Sequence, residues 1–190
     1  MKKLMITLPI LLVIVFLFFI SEFRFTAVSS AKNHAFLEND SELIGEYKVS
    51  SSYIFLFKSD KEELYRTVLT EKKWAFYRSN VSTFTPYSSD EIQTIGAMNV
   101  STENTSATFI SVISNDEEVS YVEVGVEPNI ERKEINKGER ITFLYPFNKQ
   151  INQLNPTAFN KDKEKLFYYG YPKDTNVFNT DENKWHKVDE

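Results

Sequence analysis

Residues 53–78, YIFLFKSDKEELYRTVLTEKKWAFYR, contain three apolar runs separated by two short charged segments. The first run, Tyr53 to Phe57, is apolar on both faces of a strand, which is typical of a strand in the middle of a sheet. The charged segments have the composition of turns, and the two later runs have the length of strands. The stretch therefore predicts an antiparallel meander in which Trp74 and Phe76 share one buried face.

The β pattern resumes after a polar segment over 79–94, which contains Pro86 and is the clearest break in this part of the chain. Valines at 122, 124 and 126 fall on one face, opposite Tyr121 and Glu123, as expected for a strand with one buried face. Short runs of this kind recur about every 8 to 12 residues, a spacing that favours a β-sandwich or a partial barrel over a parallel sheet. Further strands are predicted over 95–100, 107–114, 119–126, 130–135, 141–145 and 165–171, with a long loop over 148–163.

The segment before the meander is less regular. Its first part is rich in Thr, Ser and Ala and reads as a stalk, and residues 33–44 have a partly helical spacing that predicts a short helix ended by Gly45. The fold is thus expected to be mainly β, with an N-terminal transmembrane helix, an antiparallel meander and a sandwich-like half. The predicted divisions are 1–24 (anchor), 25–44 (stalk and short helix), 45–85 (meander) and 95–190 (sandwich-like).

A transmembrane helix is predicted from Leu4 to Ile20, where Thr7 is the one polar residue. At 1.5 Å per residue the run covers about 25 Å, close to a hydrocarbon core of roughly 30 Å. Lys2 and Lys3 precede it, so the excess of positive charge places the N-terminus in the cytoplasm and the rest of the chain outside. A cleaved signal peptide with a secreted product remains the alternative, although its apolar region usually has only about 7 to 15 residues.

Composition limits the partners of the exported part. The chain has 22 basic and 27 acidic side chains, and without residues 1–31, which hold three basic residues and one acidic residue, the net charge is −7. This balance argues against nucleic acid, which requires clustered Lys and Arg. The absence of cysteine excludes disulfides and a lipid-modified cysteine, and it favours a bacterial envelope over an animal secretory pathway.

No motif predicts a catalytic residue, a cofactor or a metal site. His34 and His186 are the only histidines, and neither belongs to a metal-binding or triad pattern. Paired carboxylates suited to a glycosidase are available, but each pair falls in or beside a predicted turn, where carboxylates are usually solvated. The pairs are Glu62/Glu63, Glu117/Glu118 and Asp181/Glu182.

Aromatic residues are unusually frequent, with 16 Phe, 10 Tyr and 2 Trp. Most of them are expected in the core. Those with strand spacing are Phe55, Phe57, Trp74, Phe76, Phe143, Phe167 and Tyr169. Tyr168, Tyr171 and Trp185 are the candidates for an exposed surface that binds a sugar, a peptide or a partner protein.

Three segments carry a resemblance to known proteins: residues 53–78, FISVISNDEEVSYVEV at 109–124 and YGYPKDTNV at 169–177. They resemble segments of small membrane-anchored extracytoplasmic proteins of unknown function from Bacillus-like Firmicutes. The C-terminal half is also loosely similar to bacterial immunoglobulin-like modules. Asp174-Thr-Asn176 stands where that pattern usually has Asp-Gly-Asn. The resemblance implies an extracytoplasmic β fold and brings no catalytic residues with it.

These observations favour a non-enzymatic binding protein of the cell envelope, held in the membrane by Leu4 to Ile20, with an envelope protein or a cell-wall component as its partner. One alternative is a cell-wall hydrolase that uses two carboxylates about 5 to 10 Å apart. Another is an accessory or sensor subunit of a membrane complex, although Leu4 to Ile20 lacks the spacing of small residues that packs membrane helices together.

Overall fold

The computed structural model describes residues 22–103, 105–173, 179 and 182–188. The predicted anchor, Leu4 to Ile20, lies outside these residues. Within them, no helix has both the length and the apolar character needed to cross a bilayer. The described chain is mainly β and its sheets are antiparallel, as predicted.

Sheet A is a five-stranded meander with one short helix on its outer face. The strand order is β1-β5-β4-β3-β2, so four consecutive strands are neighbours in space. The first strand pairs only through Phe23 and Arg24 with the start of β5. The elements are β1 (Phe23–Arg24), α1 (Ala27–Lys32), β2 (Glu42–Val49), β3 (Ser52–Ser59), β4 (Leu64–Lys73) and β5 (Phe76–Pro86).

Sheets B and C form the second half of the chain. Sheet B has the order β10-β7-β6, and sheet C has the order β13-β12-β11-β8-β9. A 3₁₀ helix, Ile151–Leu154, leads into sheet C. The strands are β6 (Ile92–Ser101), β7 (Ser106–Ser114), β8 (Tyr121–Val124), β9 (Glu131–Glu134), β10 (Arg140–Tyr145), β11 (Thr157–Phe159), β12 (Lys165–Gly170) and β13 (Lys184–Lys187).

The three sheets are stacked, and sheet B is the middle layer. One face of β7 contributes Ile110 and Val112 to a core shared with sheet C, where Val122 and Phe167 are buried. The other face contributes Phe109 to a core shared with Ile54 and Leu69 of sheet A. Because side chains alternate along a strand, β7 is buried on both faces.

Side chains that alternate along β3 pack on different layers, and α1 is the outermost of these layers. Ile54 faces sheet B, whereas Phe55 and Phe57 face Ala27 and Ala31 of α1. The helix begins at Thr26, whose side chain accepts a hydrogen bond from the amide of Ser29. Its small residues allow it to lie closely on the phenylalanine rings.

Several local predictions were wrong. The helix lies in the segment read as a stalk, and Gly45, expected to end a helix, lies inside β2 at a register shift. The polar break is shorter than predicted because β5 continues to Pro86. The loop over 148–163 contains the 3₁₀ helix and β11.

The prediction for Trp74 was also wrong. The residue lies in the turn between β4 and β5 and is 95% exposed. Lys73 pairs with Phe76, so Trp74 and Ala75 form the two-residue connection. A register shift between Leu69 and Glu71 sets this pairing, and a sequence pattern does not reveal such a shift.

Candidate functional site

An open cleft lies where β5, β6 and the end of sheet C meet. It consists of two adjoining cavities of about 610 and 370 Å³. Both are lined by Thr83 of β5, Ala97 of β6, Tyr169 of β12 and Asn183. We refer to these two cavities together as the β6 cleft.

The cleft follows a free sheet edge. Among the described residues, β6 pairs with β7 alone, and β5 pairs with β1 over only two residues. The hydroxyl of Thr83 donates a hydrogen bond of 2.7 Å to the carbonyl of Ala97 and so ties the two edges together. Since the N–H and C=O of one strand residue point to the same side, the Ala97 amide also faces the cleft.

Two aromatic side chains form the inner wall. Trp185 donates an indole hydrogen bond of 3.0 Å to the hydroxyl of Thr94, which fixes the ring against β6. Tyr169 meets Trp185 edge to face, with ring centroids 5.8 Å apart, and both pack against the core between sheets B and C. Burial raises the pKa of Tyr169, with a smaller contribution from Tyr171, so its hydroxyl remains a neutral hydrogen-bond donor.

The outer rim is made by the end of β5 and the turn after it. Phe84 is 64% exposed. Tyr87 donates a hydrogen bond of 2.9 Å to Asp60 and packs on Tyr65 at 4.8 Å between ring centroids. Burial, followed by the bond to Asp60, raises the pKa of Tyr87, so its phenol is neutral and donates to the Asp60 carboxylate.

The structure brings two of the three predicted surface residues to the cleft. Trp185 lines the larger cavity, and Tyr171 lines the smaller one. Tyr168 does not line either cavity. It stacks on His186 at 5.4 Å, and the Lys173 ammonium lies 4.3 Å from its ring centroid. Adjacent strand residues point to opposite faces, which separates Tyr168 from Trp185.

Three cleft residues were not predicted. Tyr169 has the same spacing as the buried Phe167 and was therefore assigned to the core. Phe84 and Tyr87 lie in the segment interpreted as a polar break. The presence of two aromatic residues among Ser, Thr and Pro was the one available signal that this segment forms part of a surface.

Two of the predicted acidic pairs have one member in an ion pair away from the cleft, and one member of the third pair lies outside the described residues. Glu62 forms an ion pair of 3.6 Å with Arg66, and Glu117 forms one of 2.7 Å with Lys137. Asp181 lies outside the described residues. His186 donates from Nε2 to the carbonyls of Gly170 and Glu182 at 3.0 and 2.9 Å. In the described part of the chain, no group of three His, Cys, Asp or Glu side chains is arranged to hold a metal ion.

Comparisons with protein-family models, with curated proteins and with solved structures find no match to this chain. The resemblance to anchored proteins of Firmicutes therefore stays a prediction, and the cleft is interpreted from its own geometry.

Proposed function

We propose that this chain is a membrane-anchored binding module of the bacterial cell envelope, and that the β6 cleft takes an extended segment of a partner protein as an added strand. The observation that carries this proposal is the edge of β6 along the open cleft, which no described strand pairs, so that an added strand there would displace the Thr83 hydroxyl from the Ala97 carbonyl. A sheet edge binds an extended peptide through backbone hydrogen bonds, and pockets beside the edge select its side chains.

The walls of the cleft suit this mode of binding. Trp185, Tyr169 and Tyr171 provide apolar and aromatic area on one side, and Phe84 provides it on the other. Alternate side chains of an added strand point to the two sides and would meet these two walls in turn. Aromatic residues of this kind are common at the centres of protein interfaces.

Hydrolysis by two carboxylates receives less support from the same geometry. Of the described residues that line the cleft, Asp90 is the one carboxylate. An acid and a base acting on one bond would both have to face the ligand. The cleft thus favours binding over bond cleavage.

Location in the envelope rests on the apolar run, the acidic ectodomain and the absence of cysteine. Under this proposal Leu4 to Ile20 holds the module on the outer side of the membrane. The partner is then an envelope protein that presents an extended segment, such as a terminal tail or a linker.

The test is a selection of random peptides on the full-length chain in lipid nanodiscs, followed by measurement of each selected peptide on two variants. Ala97→Pro removes the amide that faces the cleft, whereas Ala97→Ser keeps it. We expect peptides selected on the unmodified chain to lose about tenfold or more in affinity on Ala97→Pro, because the edge loses a donor and gains a ring. Their affinity for Ala97→Ser should be unchanged.

Two results would contradict the proposal. One is selection of peptides that bind both variants equally, because the edge of β6 would then play no part. The other is failure to enrich any peptide while cell-wall fragments bind the same nanodiscs, which would replace a protein partner by a glycan.

A further inference from the structure

A separate cavity of about 570 Å³ lies on the face of sheet A that carries α1. Arg66 of β4 lies directly opposite Phe57 of β3, which packs on α1, and opposite Phe84 of β5 on its other side. Directly opposite residues of neighbouring strands project to the same face, so Arg66 projects to the side of α1. We refer to this opening, which β4, β5, His34 and Phe36 line, as the Arg66 cavity.

The guanidinium of Arg66 has donors without acceptors. The Arg66 side chain is only 11% exposed, and no described residue accepts a hydrogen bond from its buried Nε atom. Its ion pair with Glu62 has an N–O distance of 3.6 Å, which is longer than a hydrogen bond, and the ring of Phe84 lies 5.9 Å away. Because buried donors in folded proteins are almost always paired, Arg66 has the capacity to bind an anion that enters the cavity.

Three neutral side chains add donors beside the guanidinium. Nδ1 of His34 accepts a hydrogen bond of 3.3 Å from the Phe36 amide, and burial, followed by the Arg66 cation, lowers the pKa of His34. The ring is therefore neutral at neutral pH and carries its proton on Nε2. Ser82 and Asn80 of β5 contribute a hydroxyl and an amide, and no Asp or Glu is among the described residues that line the cavity. The site is thus positively charged within an acidic chain.

The walls around these donors are apolar and accessible. Phe36 is 68% exposed, Phe84 is largely exposed, and Leu64 and Val81 complete the apolar lining. A compact, strongly hydrated anion such as phosphate would leave these side chains uncovered, and it would have a single guanidinium to neutralise it. The cavity therefore suits a ligand that carries one negative charge next to an apolar group.

We infer that the Arg66 cavity binds the C-terminal carboxylate of a polypeptide whose last residue is apolar. The guanidinium donates to the carboxylate, and the last side chain lies on Phe36 and Phe84. Asn80 has both a donor and an acceptor, which suit the amide group that precedes a C-terminal carboxylate. A free fatty acid has no such group. Binding at this site requires neither an added strand at β6 nor the membrane anchor.

Glu62 is the group that competes with such a ligand. Its carboxylate lies 3.6 Å from the Arg66 guanidinium, and its side chain is partly exposed. The Glu62 amide donates to the hydroxyl of Ser59, which holds the backbone, so the carboxylate can turn to solvent without a change in the fold. Removal of the Glu62 charge should therefore strengthen binding of a carboxylate at Arg66.

The test titrates the nitrogen-labelled full-length chain in lipid nanodiscs with three small probes. Acetyl-Gly-Gly-Leu has a terminal carboxylate, its amide has none, and hexanoate has a carboxylate and an apolar chain but no peptide group. Proton–nitrogen correlation spectra follow the Nε–H resonance of Arg66, which is assigned by its loss in Arg66→Lys. Glu62→Gln removes the competing carboxylate, and Glu63→Gln is the matched control, because Glu63 does not line the cavity.

We expect acetyl-Gly-Gly-Leu to shift the Arg66 resonance with saturation, and its amide and hexanoate to bind about tenfold more weakly or less. Glu62→Gln should tighten binding of the free acid by about threefold, whereas Glu63→Gln should leave it unchanged. Equal affinity for the acid and the amide, or no shift with any probe, would overturn the inference. Hexanoate that binds as tightly as the acid would also overturn it, because the occupant would then be a fatty acid.

Discussion

Two pairs of strands in this molecule obey different constraints. Strands β3 and β7 lie in the interior, whereas β5 and β6 border the cleft. Phe55 and Phe57 of β3 and Phe109 and Ile110 of β7 are completely buried, because each strand lies between two packed layers. β6 has one edge that no described strand pairs, and β5 has one edge that pairs with β1 over only two residues; these two edges meet at the cleft. The comparison indicates that burial on both faces secures the fold, whereas exposed edges leave backbone groups available for a partner.

Removal of one buried ring should produce the largest effect. Phe109 is fully buried between sheets A and B, and its ring lies 5.0 Å from that of Tyr47. We expect Phe109→Ala to lower the free energy of unfolding by about 3 to 5 kcal/mol, measured by urea denaturation of the full chain in micelles. The exposed Phe84→Ala should change it by less than about 0.5 kcal/mol. Similar losses for the two variants would mean that the interior is not packed as described.

Two adjacent proline substitutions sharpen the distinction between edge and interior. Backbone amides of adjacent strand residues point to opposite sides of the strand. Because the Ala97 amide faces the cleft, the Met98 amide faces β7. Met98→Pro should destabilise the chain by about 3 kcal/mol or more, because it breaks a ladder hydrogen bond and replaces a buried side chain. Ala97→Pro should cost far less. The same denaturation measurement compares them, and the reverse order would place the free edge on the wrong side of β6.

Gly96 tests how closely sheets A and B approach each other. A Cβ atom at this position would lie 2.9 Å from both Leu56 Cδ1 and Thr67 Oγ1. We expect Gly96→Ala to cost about 1 to 3 kcal/mol through overpacking. Leu56→Val should cost less in the Gly96→Ala background than alone, as a double-mutant cycle would show. Strict additivity would indicate that the two residues do not touch.

Replacement of Trp74 should have a smaller effect, and in the opposite direction. Trp74→Gly should raise the free energy of unfolding by up to about 1 kcal/mol, because glycine adopts the positive φ without a steric penalty. Ala75→Gly, at the other turn residue, has no such strain to relieve and should be neutral or destabilising. Loss of stability in Trp74→Gly would contradict the strained turn.

The smallest expected effect is the dependence of stability on pH that arises from His34. Burial, together with the Arg66 cation, lowers the pKa of His34 below its ordinary 6.5, while Glu22 opposes the shift. At pH values between the lowered pKa of His34 in the folded chain and its ordinary 6.5 in the unfolded chain, the unfolded chain binds more protons. The free energy of unfolding should therefore decrease as the pH falls below 6.5. His34→Gln should weaken this dependence in denaturation curves collected at several pH values. A steeper loss in the variant would show that His34 is not the group responsible.

The structure explains why the sequence was more informative about the interior than about the site. Tyr53 to Phe57 is continuous and apolar, so its place in the middle of a sheet could be predicted from local pattern alone. Trp74 was misplaced because its position depends on a register shift in β4, which no local pattern reports. Tyr169 was assigned to the core because alternation of apolar residues along a strand does not distinguish a side chain in the core from one that lines a cleft.

The sequence by itself determined the β-rich class, the antiparallel meander and the prediction of an apolar anchor, since each depends on residues that are neighbours along the chain. Only the tertiary structure decided that sheet B lies between sheets A and C, that the edges of β5 and β6 meet, and that Trp185 and Tyr171 share a cleft while Tyr168 faces away. These features arise from contacts between residues far apart in sequence, whose geometry is set by packing of complete sheets rather than by local preference.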